Sequence, residues 1–469
     1  VDGTLPLLIC GAGPTGLTLA LELSRFGVPL RIVDRAPAPP SSSRAIVVQP
    51  RTLELLEACR VTERLLMFAQ PIHGVDVRDA GRSIFGLELA GMATPYPFIA
   101  AVGQETTERT MLVCLHEHDV YVERETTLTA VRQDDGGIEV ELAGANGIER
   151  VRCRYLAACD GAQSTVRHLL DVPFSGHDRA EHFALADVCL DTALPTDRIT
   201  LLLDAHGETV MLAPLADAWR VTVESAAEPG ELDAPAVQRL IDAHQVPARV
   251  RSVDWSASLA VHQRKVEQYV AGRTFFLGDA AHVHSPIGGQ GMNAGIGDAV
   301  NLAWKLALVI NDGVDPALLA TYHAERDAVG RALLRGMEQR DRLVFNRNNI
   351  LRRLRNTMAP LASHVPLLHE RLRDIFTGLR IAYPNSPLSV NDNPGRRGLR
   401  AGMRVRGHRP AGYRPQPLLL ADDGGAPATI VIRPDGYAGY VADGTHAGGA
   451  STYVRNVIGV REVPAGRTG

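Results

Sequence analysis

Lysine is almost missing from this chain. Of its 49 basic residues only Lys265 and Lys305 are lysines, a bias expected of a GC-rich bacterial genome that says little about chemistry. Arginine brings no positive excess either: the net charge is −4, so no basic field points to nucleic acid. No apolar run approaches the ~20 residues of a membrane span. The N-terminus lacks the basic-then-apolar pattern of a signal peptide. These absences predict a cytoplasmic protein with neither nucleic-acid nor membrane partners. Cysteine is sparse as well. Cys10, Cys59, Cys114, Cys153, Cys159 and Cys189 form no Cys-x-x-Cys pair and no cluster with zinc-ligand spacing. The expectation is no metal, and buried, reduced thiols.

What is present describes a globular protein with a sizeable core. The 469 residues are 45% hydrophobic and 22% charged, enough for two or three domains. The densest signal is Gly278 to Lys305. An apolar strand-like run, Thr274 to Leu277, precedes it. A Gly/Pro-rich loop from Pro286 to Gly291 follows, and then a helix with Ala299, Leu302, Ala303, Leu306 and Ala307 on one side. A helix start behind such a loop presents unpaired backbone N–H groups and suits an anion. Asp279, at the strand end, can accept hydroxyls from a ribose or ribityl chain.

The N-terminus carries a second such unit. Leu5 to Cys10 reads as a strand, followed by Gly11, Gly13 and Gly16 in a G-x-G-x-x-G. The first glycine permits a tight turn, the second lets a pyrophosphate approach, and the third lets helix and strand pack closely. Leu17 to Phe26 is the helix, and Pro29 to Val33 the next strand. Asp34 closes it, 23 residues after Gly11, near the ~20-residue spacing of a ribose-binding acid. Together these point to an adenine dinucleotide, NAD or FAD. Arg44 follows a Pro/Ser-rich loop, where a guanidinium can pair with a pyrophosphate or cover a ring system.

A third unit begins at Asp160. The strand Tyr155 to Cys159 runs into Asp160-Gly161, with Ser164 placed to cap a helix and Arg167 carrying charge toward a phosphate or nicotinamide. Between these units the βαβ rhythm breaks twice. Val75 to Leu89 has a hairpin signature around Asp79-Ala80-Gly81. Phe183 to about Val261 is strand-rich and reads as an inserted mixed sheet whose apolar face can cover a ligand. His206, Met211, Trp219 and His262 are candidates to line it.

The three units, with Arg44 and Gln104, resemble the group A flavoprotein aromatic hydroxylases, the para-hydroxybenzoate-hydroxylase-like monooxygenases. The resemblance runs from about Leu7 to Arg380. It rests on the G-x-G-x-x-G, on Asp-Gly-x-x-Ser-x-x-Arg, and on Gly-Asp-Ala-Ala-His with Pro-x-Gly-Gly-Gln-Gly-Met-Asn, in that order. Within the family the chain looks most like bacterial hydroxylases that tailor aromatic polyketides or modify phenolic antibiotics.

The resemblance implies an α/β fold: a Rossmann-like FAD-binding domain (1–73, 100–176 and 270–383) with an inserted mixed β-sheet substrate domain (74–99 and 177–269). It implies that Gly11, Gly13 and Gly16 hold the FAD pyrophosphate, Asp34 the adenosine ribose, and that Arg35 sits beside the adenine end. Arg44 and Gln104 would contact the pyrophosphate and ribityl regions, and Asp279 the ribityl or pyrophosphate end. Pro286 would sit beside the isoalloxazine, with Gly291, Met292 and Asn293 near its pyrimidine edge. Asp160 and Arg167 belong to an element used for both FAD and NAD(P)H. The implied reaction uses NADPH or NADH and O2, and hydroxylates a phenolic ring through a C4a-hydroperoxyflavin. No substrate-deprotonating base is named, and a homodimer is allowed. Two rivals remain: Baeyer–Villiger oxygen insertion on the same scaffold, and a flavoprotein that sequesters an antibiotic without turnover. A flavin halogenase is disfavoured, because Trp219 lies outside a Trp-x-Trp-x-Ile-Pro context.

Beyond Arg380, Pro384, Pro387, Pro394, Gly395 and Gly398 mark a linker. Residues 395–469 resemble the thioredoxin-like domain appended to many of these hydroxylases, here without cysteine and short for that fold.

Overall fold

The structure is a computed structural model. It describes residues 4–460 apart from 41–44, 80, 204–208, 226–229, 286–288, 345–369, 371–372, 374–375, 393–397 and 421–427. Arg44, His206 and Pro286 therefore lie outside the described residues.

The first sheet is built on parallel strands. Leu5–Cys10 pairs with Leu30–Val33 on one side and Gly147–Ala158 on the other, and Thr274–Phe276 continues the sheet in the same direction. Strands buried on both faces need continuous apolar side chains. Leu7, Leu8, Ile9, Val33, Leu156 and Phe276 are all fully buried. The helices Pro14–Arg25 and Gly291–Asn311 pack against each other and into this core. An antiparallel meander, Thr127–Asp134 and Gly137–Gly144, extends from Gly147–Ala158. The register places Cys10 beside Ala158, and Ala158 beside Phe276. Gly11, Asp160 and Gly278 thus leave the sheet at one edge, where ligands bind in open α/β sheets. This is the expected Rossmann-like α/β fold.

The second sheet is the expected insertion. The long strands Phe174–Thr192 and Ala248–Val266 carry the chain out and back as an antiparallel pair. Trp219–Ser225, Thr209–Pro214 and Arg198–Leu203 follow in order. The hairpin Gly74–Asp79 and Arg82–Glu88 closes the sheet, parallel to Arg198–Leu203. The helix Ala234–Ala243, capped by Asp233 through a 2.8 Å bond from Ala236 N–H, covers one face. Val237 and Ile241 meet Leu212, Val221 and Val223 there. The other face looks back toward the first sheet.

The C-terminal segment forms a four-stranded sheet. Val390–Asp392 lies parallel to Ala438–Asp443, while Ala428–Ile432 and Gln416–Leu420 are antiparallel. The helix Ala447–Tyr453 follows. Arginines of this segment fasten it to helices earlier in the chain. Arg409 reaches Glu22, Arg404 reaches Glu54, and Arg433 pairs with Glu325. Of the stretch with linker composition, Pro394 and Gly395 lie outside the described residues, and its beginning is packed. The Tyr383 ring lies 4.5 Å from Tyr437, and Ser386 donates to Glu325 at 2.6 Å.

Candidate active site

The glycine loop shows which glycines the protein needs for itself. Gly11 has φ +101°, and a Cβ there would sit 2.3 Å from the Cys159 carbonyl oxygen. A Cβ on Gly16 would sit 1.9 Å from the Gly11 oxygen. Both positions are closed by packing. Gly13 is different: nothing lies within 4 Å of where its Cβ would be. It precedes a helix with Pro14 in its first turn and no side-chain cap. Open space beside uncapped N–H groups fits a pyrophosphate. Asp34 braces the loop, its carboxylate accepting the Ala12 N–H at 2.6 Å and the Ala36 N–H at 2.8 Å. Each oxygen keeps a lone pair for a hydroxyl.

The other two units meet this loop. Gly278 has φ +57°, and its Cβ would lie 2.5 Å from the Thr15 hydroxyl. Ser164 caps the Thr165–Leu169 helix by accepting the Arg167 N–H at 3.0 Å. Asp160 accepts the Val166 N–H at 3.2 Å through one oxygen, and the other is buried without a protein partner. Burial raises its pKa. Arg167 lines the cavity, and its guanidinium is held there by the protein. It donates to the carbonyls of Ala280 at 3.1 Å and Ala162 at 2.8 Å, and lies 3.9 Å over the Phe174 ring. Burial lowers its pKa.

The start of the Gly291–Asn311 helix has no side-chain cap. Gly291 and Met292 line the cavity. Asn293 does not, because its amide is spent on the backbone: it accepts the Gln49 N–H at 2.9 Å and donates to Val47 at 2.8 Å. It holds the helix start against Val47 and Gln49. Gln104 lines the cavity and donates to Glu108 at 2.8 Å. Arg35 is exposed and lies outside the lining.

One void of about 1410 Å³ joins these parts. Gly13, Thr15, Gln104, Gly161, Asp279 and Gly291 form its polar side. The second sheet forms the opposite wall. Pairing aligns Leu185, Thr222, Met211, Leu201, Val77 and Phe85 across five strand boundaries, and all six line the void. Single ligands occupy roughly 300–1,000 Å³, so this space suits a cofactor plus a second molecule.

Comparison with known proteins agrees with this geometry. A family model described as an FAD binding domain matches residues 4–337. The 6-methylpretetramide 4-monooxygenase of Streptomyces rimosus is 35% identical over 463 residues, covering 91% of this chain and 81% of that protein. A 12-dehydrotetracycline 5-monooxygenase/anhydrotetracycline 6-monooxygenase, also from Streptomyces rimosus, is 32% identical, covering 81% of this chain and 77% of its own. The structure of OxyS anhydrotetracycline hydroxylase from Streptomyces rimosus superposes with a TM-score of 0.79 at 29% identity, covering 97% of this chain and 99% of that one. The chain belongs to this FAD-dependent aromatic monooxygenase family.

As a flavoprotein monooxygenase it needs FAD and O2, and the donors above fit such a cofactor. Among the described residues no group of three or more His, Cys, Asp or Glu is placed to hold a metal. No described helix is long and apolar enough to cross a membrane. Of the residues expected to line the insert's inner face, Met211 and His262 do. Trp219 does not; it packs on the helix-covered face with Val221 and Val223. Arg220 and Thr222 were missed. Arg220 pairs with Asp187 through bonds of 2.6 and 2.9 Å and lies 5.1 Å over Trp255. Its Nη1 is buried with no protein partner. The signal was the strict alternation of Trp219, Val221 and Val223 with Arg220, Thr222 and Glu224, which puts the two sets on opposite faces.

Proposed function

We propose that this monooxygenase consumes NADPH or NADH and O2 to hydroxylate a polycyclic phenol of the aromatic polyketide class. The observation that carries the reading is the continuity of the void. The flavin-contact loops and the apolar face of the second sheet bound one space, so an aromatic substrate can lie against a bound cofactor. The substrate class follows from the relatives, whose names are those of tetracycline-type monooxygenases.

The residues divide the work. Gly13 and the helix start at Pro14 take the pyrophosphate, and Asp34 and Asp279 take hydroxyls. The uncapped N-terminus of the Gly291–Asn311 helix lines the cavity, and its positive end would favour negative charge on a flavin held there. Bound FAD supplies two-electron chemistry and activation of O2. The rows of Leu185, Met211, Leu201 and Val77 exclude water and stack a flat substrate. Overall, one oxygen atom enters the ring and the other leaves as water, with NAD(P)H supplying the electron pair. All six thiols are free, which supports a reducing, cytoplasmic setting.

The test is NAD(P)H oxidation by the FAD-loaded protein across a panel of polyketide phenols. Substrates should accelerate oxidation and emerge with one added phenolic oxygen. A lactone product by NMR would support oxygen insertion into a ketone instead. Tight binding of phenols with no acceleration by any of them would support sequestration. Protein that stays colourless after FAD loading would overturn the reading.

A further inference from the structure

We propose that Asp298 is a positioning residue for the cofactor-contact turn Gly278–Ala280, and that Arg326 and Tyr383 extend its control to the segment entering the C-terminal sheet. This rests on the flavin reading above.

Asp298 lies two turns into the Gly291–Asn311 helix and is fully buried. One carboxylate oxygen accepts the Gly278 N–H at 2.9 Å and faces His282 Nε2 at 2.8 Å. Gly278 follows immediately on the last ladder bond, Leu277 N–H to the Ala158 carbonyl at 3.0 Å. Its N–H is therefore the first that the sheet cannot satisfy, and a buried N–H needs a partner. Asp298 provides one and sets the direction in which Asp279 leaves the strand. The turn has little freedom otherwise, since a Cβ on Gly295 of the same helix would lie 2.2 Å from Thr15 and 3.1 Å from Gly278.

Arg326 holds the other carboxylate oxygen through Nε at 2.5 Å. Its Nη2 donates to the Ala294 carbonyl at 3.0 Å, in the first turn of the helix whose start lines the cavity. One guanidinium thus braces both the turn and the helix start. Its Nη1 donates to the Tyr383 hydroxyl at 2.9 Å. Tyr383 is bound in turn to the C-terminal sheet: its N–H donates to Gly402 at 2.8 Å, and Gly402 N–H donates to Ala438 at 2.6 Å. Docking of the C-terminal sheet is thereby wired to the geometry of the FAD contacts.

The test compares Tyr383→Phe with Tyr453→Phe. Tyr453 is also buried and donates to the Leu388 carbonyl at 2.8 Å, with no bond to Arg326. Each change removes one hydroxyl and keeps the ring. FAD release from the holoenzyme is followed by the rise in flavin fluorescence, with melting temperature and visible circular dichroism in parallel. Tyr383→Phe should release FAD about five-fold faster, the effect of losing one hydrogen bond of ordinary strength, and should alter the flavin dichroism. Tyr453→Phe should lower the melting temperature alone. Asp298→Asn should exceed Tyr383→Phe in both flavin readouts. Equal release rates for wild type and Tyr383→Phe, or equal acceleration by both tyrosine variants, overturns the proposal. Wild-type protein that binds no FAD overturns the flavin reading itself.

Discussion

Arg167 Nη1 donates to the Ala280 carbonyl at 3.1 Å, joining two stretches 113 residues apart in the chain. With Gly278 pressed on Thr15, and Gly11 pressed on Cys159, this bond closes a ring of contacts among the three motif loops. The loops hold one another through contacts made by the protein itself, and such bracing lowers the ordering cost of binding. Arg167→Met removes the guanidinium that lies over Phe174 and leaves the Ala280 carbonyl without its Arg167 bond. The expected cost is about 1–3 kcal/mol of stability, measured by denaturant unfolding, with faster FAD loss at temperatures where the variant is folded.

Gly13 and Gly11 should separate ligand needs from folding needs. Gly13→Ala meets nothing in the protein, so stability without FAD should stay within about 0.5 kcal/mol of wild type. Its FAD affinity should fall, because the methyl occupies the approach of the pyrophosphate. Gly11→Ala meets the Cys159 backbone and should impair folding with or without FAD. Thermal melts with and without FAD distinguish the two, and equal FAD affinity in Gly13→Ala and wild type would remove Gly13 from the site.

Asp279 and Trp219 make a second contrast. Asp279 is exposed on the cavity wall, and Asp279→Ala should lose FAD on gel filtration. Trp219 is buried on the face away from the cavity. Trp219→Phe should lower the melting temperature and retain its FAD.

Arg220 should govern substrate rather than cofactor. Arg220 belongs to the cavity lining and its Nη1 is buried without a protein partner, so a substrate oxygen beside it would complete its hydrogen bonding. Arg220→Met should raise KM for a phenolic substrate about ten-fold or more, the scale of a lost charged hydrogen bond, and leave FAD content unchanged. Steady-state kinetics against FAD occupancy checks this.

Lys305 gives a pH dependence with a defined sign. It is fully buried between Glu325 at 2.8 Å and Asn301 at 2.9 Å. Burial pulls its pKa down to about 8, and the Glu325 charge only partly opposes this. An unfolded lysine titrates near ~10.4. Between those values the unfolded chain binds the extra proton, so wild-type stability rises with pH across that window. Lys305→Met has no such group. The stability of wild type relative to this variant should therefore increase from pH 8 to pH 10, by up to about 1.4 kcal/mol per unit of pKa shift. Paired urea melts at pH 7.5 and 10 measure it, and a difference that stays constant would show that burial does not depress the Lys305 pKa and that its ammonium stays protonated in the folded chain across this range.

The parallel sheet and its three loops were legible because their signals are local. A strand, a glycine where φ must be positive, and a helix with an apolar side are each written in a few consecutive residues. The insertion was legible through its strand-rich rhythm. Arg220 escaped notice because an arginine in a strand reads as surface until the neighbouring face is known to close a cavity. Asn293 lies off the cavity and its side chain ties backbone segments together, while Arg167 both lines the cavity and bonds the Ala280 carbonyl, and these roles depend on partners far away in sequence.

Motif order by itself indicated the α/β fold class and an adenine dinucleotide at the strand ends, because those signals depend on backbone conformation within short stretches, and the family resemblance narrowed the dinucleotide to FAD. Only the tertiary structure decided which glycines are closed by packing and which are open, and which face of the insert lines the cavity. It also decided that Tyr383 reaches the flavin turn through Arg326 and Asp298. Those answers depend on distances between residues tens to hundreds of positions apart, and packing alone sets such distances.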